Sequence, residues 1–198
     1  MALEKRRKLR TFIAIDLPSQ LKFRLAEVLG KLQSVGGKIR WTAIENIHIT
    51  LKFLGDLTPE AIESLKSGLR REVAPFEPFH VRLVGTGQFP PKGSPRVLWV
   101  GCQSPAQELE KLHAAVEKAA FDVGVPREKR AFTGHITLGR VKSGKNLNKV
   151  VEVLNSMREE EFGSFEVRGI TLYKSTLTPT GPIYEALETF SFGIPDVL

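Results

Sequence analysis

His48-Ile49-Thr50-Leu51 recurs residue for residue as His135-Ile136-Thr137-Leu138, and these two stretches hold half of the chain's four histidines. Four histidines make six pairs, and three following residues would agree by chance on the order of once in a thousand, so an internal duplication is the better explanation. Duplication brings symmetry. If each copy is a strand in one of two related lobes, a pseudo-two-fold axis between the lobes sets His48 opposite His135, each with a threonine two residues on. Around the first copy Ile47, Ile49, Leu51 and Phe53 alternate with His48, Thr50 and Lys52, the period-two pattern of a strand with one apolar and one polar face. The second copy repeats it, with Ile136 and Leu138 on one side and His135 and Thr137 on the other. A solitary histidine on a strand is ordinarily a polar residue facing solvent. A matched His-x-Thr pair in a chain with so few histidines points instead to two facing imidazoles, which suit acid–base chemistry.

The rest of the chain reads as alternating helices and strands. Pro18 or Ser19 opens a helix with Leu21, Leu25, Val28, Leu29 and Leu32 at helical spacing, closed by Gly36-Gly37. Thr58 followed by Pro59 caps a second, with Ile62, Leu65 and Leu69 inward. Strands are predicted at Phe79–Val84 and Arg96–Cys102, joined by a long Pro- and Gly-rich loop. A third helix over Gln107–Val123 buries Leu109, Leu112, Val116 and Ala120, a fourth runs over Leu147–Met157, and Phe165–Leu177 and Ile183–Phe192 read as closing strands. His80 points away from Phe79, Val81 and Leu83, and His113 sits beside the third helix's stripe; neither is expected to be catalytic.

Composition bounds the function. A chain of 198 residues, 41% of them hydrophobic, suffices for one compact domain or two intimate lobes sharing a core, and no linker divides it. The sole cysteine, Cys102, lies in an apolar strand, so no intrachain disulfide can form; a small buried hydrophobe in a reducing, cytoplasmic compartment is expected. The basic start followed by TFIAI mimics a signal peptide, but the apolar run is too short and Asp16 and Pro18 end it. No other stretch is long enough to span a membrane. A formal charge of +7 favours an anionic partner, although five of the positive charges fall in the Lys5–Arg10 run, which fits a solvated tail. The segments PREKR (Pro126–Arg130) and GKNLNK (Gly144–Lys149) flank the second motif and are candidates to hold a phosphate-bearing strand.

The paired HxTx motif, with hydrophobic alternation around it, resembles the two-histidine phosphoesterase superfamily. RTFIAIDLP (Arg10–Pro18), RWTAIENIHITLKFLGD (Arg40–Asp56), GQFPPKGSPRVLWVG (Gly87–Gly101) and TGHITLGRVK (Thr133–Lys142) look like the RNA 2',3'-cyclic phosphodiesterases, also called 2'-5' RNA ligases. They span most of the chain in the family's order. Residues 1–9 precede the point where such proteins usually begin, so a basic N-terminal extension (1–9) and a single bilobal phosphoesterase domain (10–198) are expected. The fold class is α+β: a duplicated fold of two antiparallel-sheet lobes with outer helices around a central cleft.

Opening a 2',3'-cyclic phosphate requires water to attack phosphorus in line with a departing sugar oxygen, so a base and an acid are wanted on opposite sides of the phosphate. An unperturbed imidazole, with a pKa near 6.5, can serve as either. Thr50 and Thr137 share the histidines' strand faces, where their hydroxyls can donate to non-bridging oxygens. The resemblance implies a 2'-phosphate product, His48 as acid, His135 as base, a phosphate-binding Arg140, and the reverse joining of a cyclic phosphate to a 5'-hydroxyl through a 2'-5' bond. In an unbroken strand Arg140 would point away from His135, and Gly139 is where a bulge could correct this. Lys52, on the His48 face, is a second candidate phosphate contact. Trp41, Phe89 and Phe132 are candidates to stack a base, against the commoner role of large aromatics in a core. Two histidines without matching carboxylates do not resemble a zinc or two-metal site, and no Walker-type loop is present, so no cofactor, metal or ATP is implied. The partner implied is RNA with a cyclic phosphate end, acted on by a monomer away from any membrane. A phosphodiesterase for a small cyclic nucleotide or ADP-ribose cyclic phosphate, or an RNA-binding module whose histidines only grip phosphate, are the alternatives.

Overall fold

The computed structural model describes residues 8–144 and 147–193. Its strands are β1 (Leu9–Asp16), β2 (Lys38–Trp41), β3 (His48–Leu57), β4 (Phe79–Phe89), β5 (Val97–Gln103), β6 (His135–Ser143), β7 (Glu161–Val167), β8 (Gly169–Thr178) and β9 (Gly181–Ser191). The helices are α1 (Ser19–Ser34), α2 (Pro59–Val73), α3 (Glu108–Asp122) and α4 (Leu147–Ser156). The strands form a curled antiparallel sheet in the order β7-β4-β5-β6-β3-β1-β8-β9, with β2 added to β6.

The duplication is legible in that order. One half runs β1-α1-β3-α2-β4 and the other β5-α3-β6-α4-β7-β8, but β4 leaves its own half to pair with β5, and β8 leaves its own to pair with β1. Each half therefore lends a strand to the other's lobe. The lobes meet where β3 and β6 pair through Ile49 and Ile136, both fully buried. Fully burying an isoleucine is worth about 1.5–3 kcal/mol, and here it also fixes the axis relating the two motifs.

The helices form where the apolar spacing requires. α1 buries Leu21, Leu25, Val28, Leu29 and Leu32, and α2 begins after Thr58, whose Oγ1 accepts the Ala61 amide at 3.3 Å. The apolar faces of all four helices join the sheet's inner side chains in a single core. In two places the sequence reading differs. The stretch Phe165–Leu177 is two strands, broken at Arg168, with β7 on one lobe and β8 on the other. Gly169 permits that crossing, because a Cβ there would collide with the Phe190 carbonyl. The strand predicted to end at Val84 runs on to Phe89. The basic extension lies outside the described residues save Lys8 and Leu9, and Leu9 already pairs with Leu57 as part of β1. Among the described residues no helix is long and apolar enough to cross a membrane.

Candidate active site

His48 opens β3 and His135 opens β6, each immediately before the isoleucine on the pseudo-two-fold axis. With the isoleucines turned to the helices, alternation turns His48, Thr50, His135 and Thr137 to the open face of the sheet. Extending the antiparallel register from Ile49 and Ile136 sets His48 beside Thr137 and Thr50 beside His135.

The two rings are held alike. His48 Nδ1 lies 2.8 Å from the Asn46 carbonyl oxygen, and His135 Nδ1 lies 2.7 Å from that of Thr133, in each case two residues back. A carbonyl can only accept, so Nδ1 carries the hydrogen in both rings and Nε2 is left as the basic atom. At His48 the Thr50 hydroxyl donates to Nε2 over 3.0 Å.

Their surroundings differ. Phe12 stacks on His48 at 5.0 Å and Tyr184 meets it edge-on at 5.5 Å. Burial is the main reason its pKa is pushed down to about 4; the Asn46 bond and the nearby Asp16 carboxylate work in the opposite direction. Asp16 sits across the β1–β3 ladder from His48 and is fixed by donors from Tyr173 at 2.6 Å and Thr171 at 2.9 Å. His135 packs against the edge of Phe89 at 5.0 Å. Its pKa is also lowered, first by burial, with the Thr133 bond opposing and the Arg140 charge assisting.

A bulge follows the threonine in both motifs. Thr50 and Lys52 pair with consecutive residues Ala14 and Ile13, and Thr137 and Gly139 with consecutive Trp99 and Leu98, so Leu51 and Leu138 are extra residues. Each bulge advances the facing by one residue. In β6 this brings Arg140 onto the histidine face, with the extra residue at Leu138 rather than Gly139. In β3 it brings Phe53 there and turns Lys52 to the helix side. Lys52 is thus not a phosphate contact. It is buried, its ammonium 2.6 Å from Glu117 and 2.8 Å from the Pro126 carbonyl.

The resulting cleft, of about 400 Å³, has His48, Thr50, Thr137 and Arg140 in its lining, with Trp41 and Phe53 among its aromatic walls. His135 and the Phe89 ring that flanks it lie outside that lining, beside Thr137, and Phe132 lies outside it too: its ring stacks on His113 at 4.2 Å. His80 is exposed. Arg40, Phe53 and Tyr184 are among the lining residues that escaped the sequence reading. Arg40 lies directly across β2–β6 from Arg140, and neither forms an ion pair among the described residues. Like charges directly opposite are destabilising, and an anion between them would relieve that repulsion. A four-residue strand shows too little period for Arg40 to be found from sequence. Phe53 was findable, by giving the first motif the bulge considered for the second. Tyr184 arrives from β9, far away in the chain, with no local signal. Among the described residues no group of three or more His, Cys, Asp or Glu is clustered to hold a metal ion.

A duplicated antiparallel sheet presenting two His-x-Thr motifs on one open face is the architecture of a two-histidine phosphoesterase. The family profile of the 2'-5' RNA ligase superfamily matches residues 39–178, and the chain belongs to that family. It is 38% identical over 182 residues to an RNA 2',3'-cyclic phosphodiesterase of Archaeoglobus fulgidus, covering 92% of this chain and 99% of the relative. An Aquifex aeolicus protein of the same name is 40% identical over 158 residues, covering 78% and 82% respectively. Among solved structures, E. coli LigT complexed with 3'-AMP superposes with a TM-score of 0.78 at 28% identity, covering 93% of this chain and 98% of LigT. TT0787 of Thermus thermophilus superposes with a TM-score of 0.77 at 29% identity, covering 92% and 97%.

Proposed function

We propose that this cleft hydrolyses RNA ending in a 2',3'-cyclic phosphate to a 2'-phosphate, with His48 the proton donor and His135 the acceptor. The observation that carries it is the matched pair: two imidazoles either side of one axis, each with Nδ1 locked on a carbonyl and Nε2 left as the basic atom, His48 lining a cleft that also holds arginine and threonine. Relatives named RNA 2',3'-cyclic phosphodiesterase support the same reading.

The cyclic phosphate sits over the axis, its non-bridging oxygens taking hydrogen bonds from Thr50, Thr137 and Arg140. His135 Nε2 takes a proton from water as its oxygen bonds to phosphorus, the P–O3' bond breaks, and His48 Nε2 gives its proton to O3'. Burial, the largest effect at both rings, lowers both pKa values; among the charges, Asp16 favours protonated His48 against Lys22, and Arg140 favours neutral His135. Burial leaves His48 neutral in the free protein, and the anionic substrate supplies the charge that loads it. If a 5'-hydroxyl replaces water, the same departure of O3' leaves a 2'-5' linkage, so ligation and hydrolysis need one set of groups. Trp41 and Phe53 offer faces for a base.

The test is turnover of a short oligonucleotide with a 2',3'-cyclic end, the product's phosphate position read by digesting the product and chromatographing its terminal nucleotide beside authentic 2'- and 3'-phosphate standards. Cleavage to a 2'-phosphate is expected. Tight binding without turnover would leave only a phosphate-gripping module, and a 3'-phosphate product would reverse the leaving oxygen.

A further inference from the structure

Beside the cleft lies a second depression, of about 600 Å³, whose walls include Phe53, Gly55 and the loop carrying Arg127, Lys129 and Arg130. Phe53 belongs to both hollows and is 61% exposed, an aromatic face standing at the rim between them. The loop is held from below by buried charge. Lys52 on β3 pairs with Glu117 on α3 and donates to the Pro126 carbonyl, while the other Glu117 oxygen accepts the Glu128 amide at 3.3 Å. Glu128 in turn accepts the amides of Lys129 at 3.0 Å and Arg130 at 3.3 Å. Arg127 is spent over the Phe121 ring, 5.0 Å from its centroid. Lys129 and Arg130 are both exposed and form no ion pair among the described residues, although the Glu128 carboxylate in the same wall is stabilised by the Arg130 charge.

A buried ion pair is expensive to desolvate, and replacing one by apolar residues is often neutral or stabilising. Its use here is positional: it fixes two unpaired cations at a set place relative to the strand that bears His48. A cyclic phosphate marks the 3' end of an RNA, so a longer substrate can leave the cleft only through its 5' side. We infer that the 5'-ward nucleotides cross Phe53 and lay their backbone phosphates on Lys129 and Arg130, making this depression a second binding site, for single-stranded RNA upstream of the reacting end. This rests on the function proposed above. A rim aromatic followed by unpaired cations is the arrangement by which single strands are bound without sequence preference.

The test compares a cyclic-ended 12-mer with the corresponding mononucleotide 2',3'-cyclic phosphate, in the parent and in a Lys129→Ala/Arg130→Ala variant. The parent should favour the 12-mer in kcat/KM, and the variant should lose about tenfold of that preference, through KM and not kcat. In parallel, fluorescence anisotropy with a 12-mer ending in a 2'-phosphate should show the salt dependence of log Kd falling by about 1.4 in the variant, at roughly 0.7 per lost phosphate contact. Equal preference and equal salt slopes in both proteins would overturn the site while leaving the proposed reaction standing. Absence of turnover on either substrate would instead sink the reaction, and the binding arm would still decide the site.

Discussion

Because each Nδ1 hydrogen is committed to a carbonyl, acid–base work at either histidine can run only through Nε2. His48→Ala and His135→Ala should each lower turnover of a cyclic-ended oligonucleotide by at least about a hundredfold while leaving the fold intact, checked by steady-state kinetics beside circular dichroism. A loss confined to one of them would end the symmetric model. Arg40 and Arg140 make a different expectation. Lysine keeps the charge but not the planar fork, so Arg140→Lys should raise KM and lower kcat together if the guanidinium grips the reacting phosphate bidentately. An Arg140→Lys enzyme with parental constants would reduce that residue to a general positive charge.

At the scale of elements, the bulges at Leu51 and Leu138 decide which side chains are functional. Period-two alternation carries His48, Thr50, His135 and Thr137 to the right face because all four precede the bulges; beyond them it fails, sending Lys52 to the cleft and Phe53 to the core. A bulge leaves no composition signal of its own, and its marker here, Gly139, sits one residue past the extra one. There a Cβ would come within 2.8 Å of both Ile39 and Trp41. Helices are legible to within a residue or two because their stripes are long and end at Thr58-Pro59 and Gly36-Gly37. The strand exchange between halves is not, since nothing local at Arg168 says which lobe comes next. The Lys52 assignment has a measurable consequence. As one partner of a buried pair, Lys52→Ala should destabilise by about 3–5 kcal/mol in a urea melt, and Lys52→Met combined with Glu117→Leu should recover most of it. If Lys52→Ala instead kept parental stability and raised KM alone, the residue would belong to the substrate after all.

The whole molecule registers the site through pH. His48, His135 and His113 all have pKa values below 6.5 in the folded chain, His48 at about 4, with burial the leading cause each time. The unfolded chain therefore binds more protons than the folded one as pH falls below 6.5, so stability is fully present above 6.5 and declines toward pH 4. For His48 alone the full span corresponds to about 3 kcal/mol. The lowered carboxylates Glu72, Glu128 and Glu161 titrate below their ordinary 4.5, which leaves pH 5 to 6.5 as the window belonging to histidine. Denaturant midpoints across that window should slope upward with pH, and His48→Gln should flatten the slope; an unchanged slope would mean that His48 is solvated. Catalysis should follow the same groups. The profile of kcat/KM reports the free protein and should be a bell lying below pH 6.5, whereas kcat, measured with the anion bound, should peak at higher pH because a phosphate charge raises both imidazoles. The two apparent pKa values belong to the coupled pair, so the variants assign the roles. Removing His135 should abolish the acid limb and removing His48 the alkaline limb. The opposite result would exchange acid and base, and coincident kcat and kcat/KM profiles would mean that the bound phosphate does not load the proton on His48.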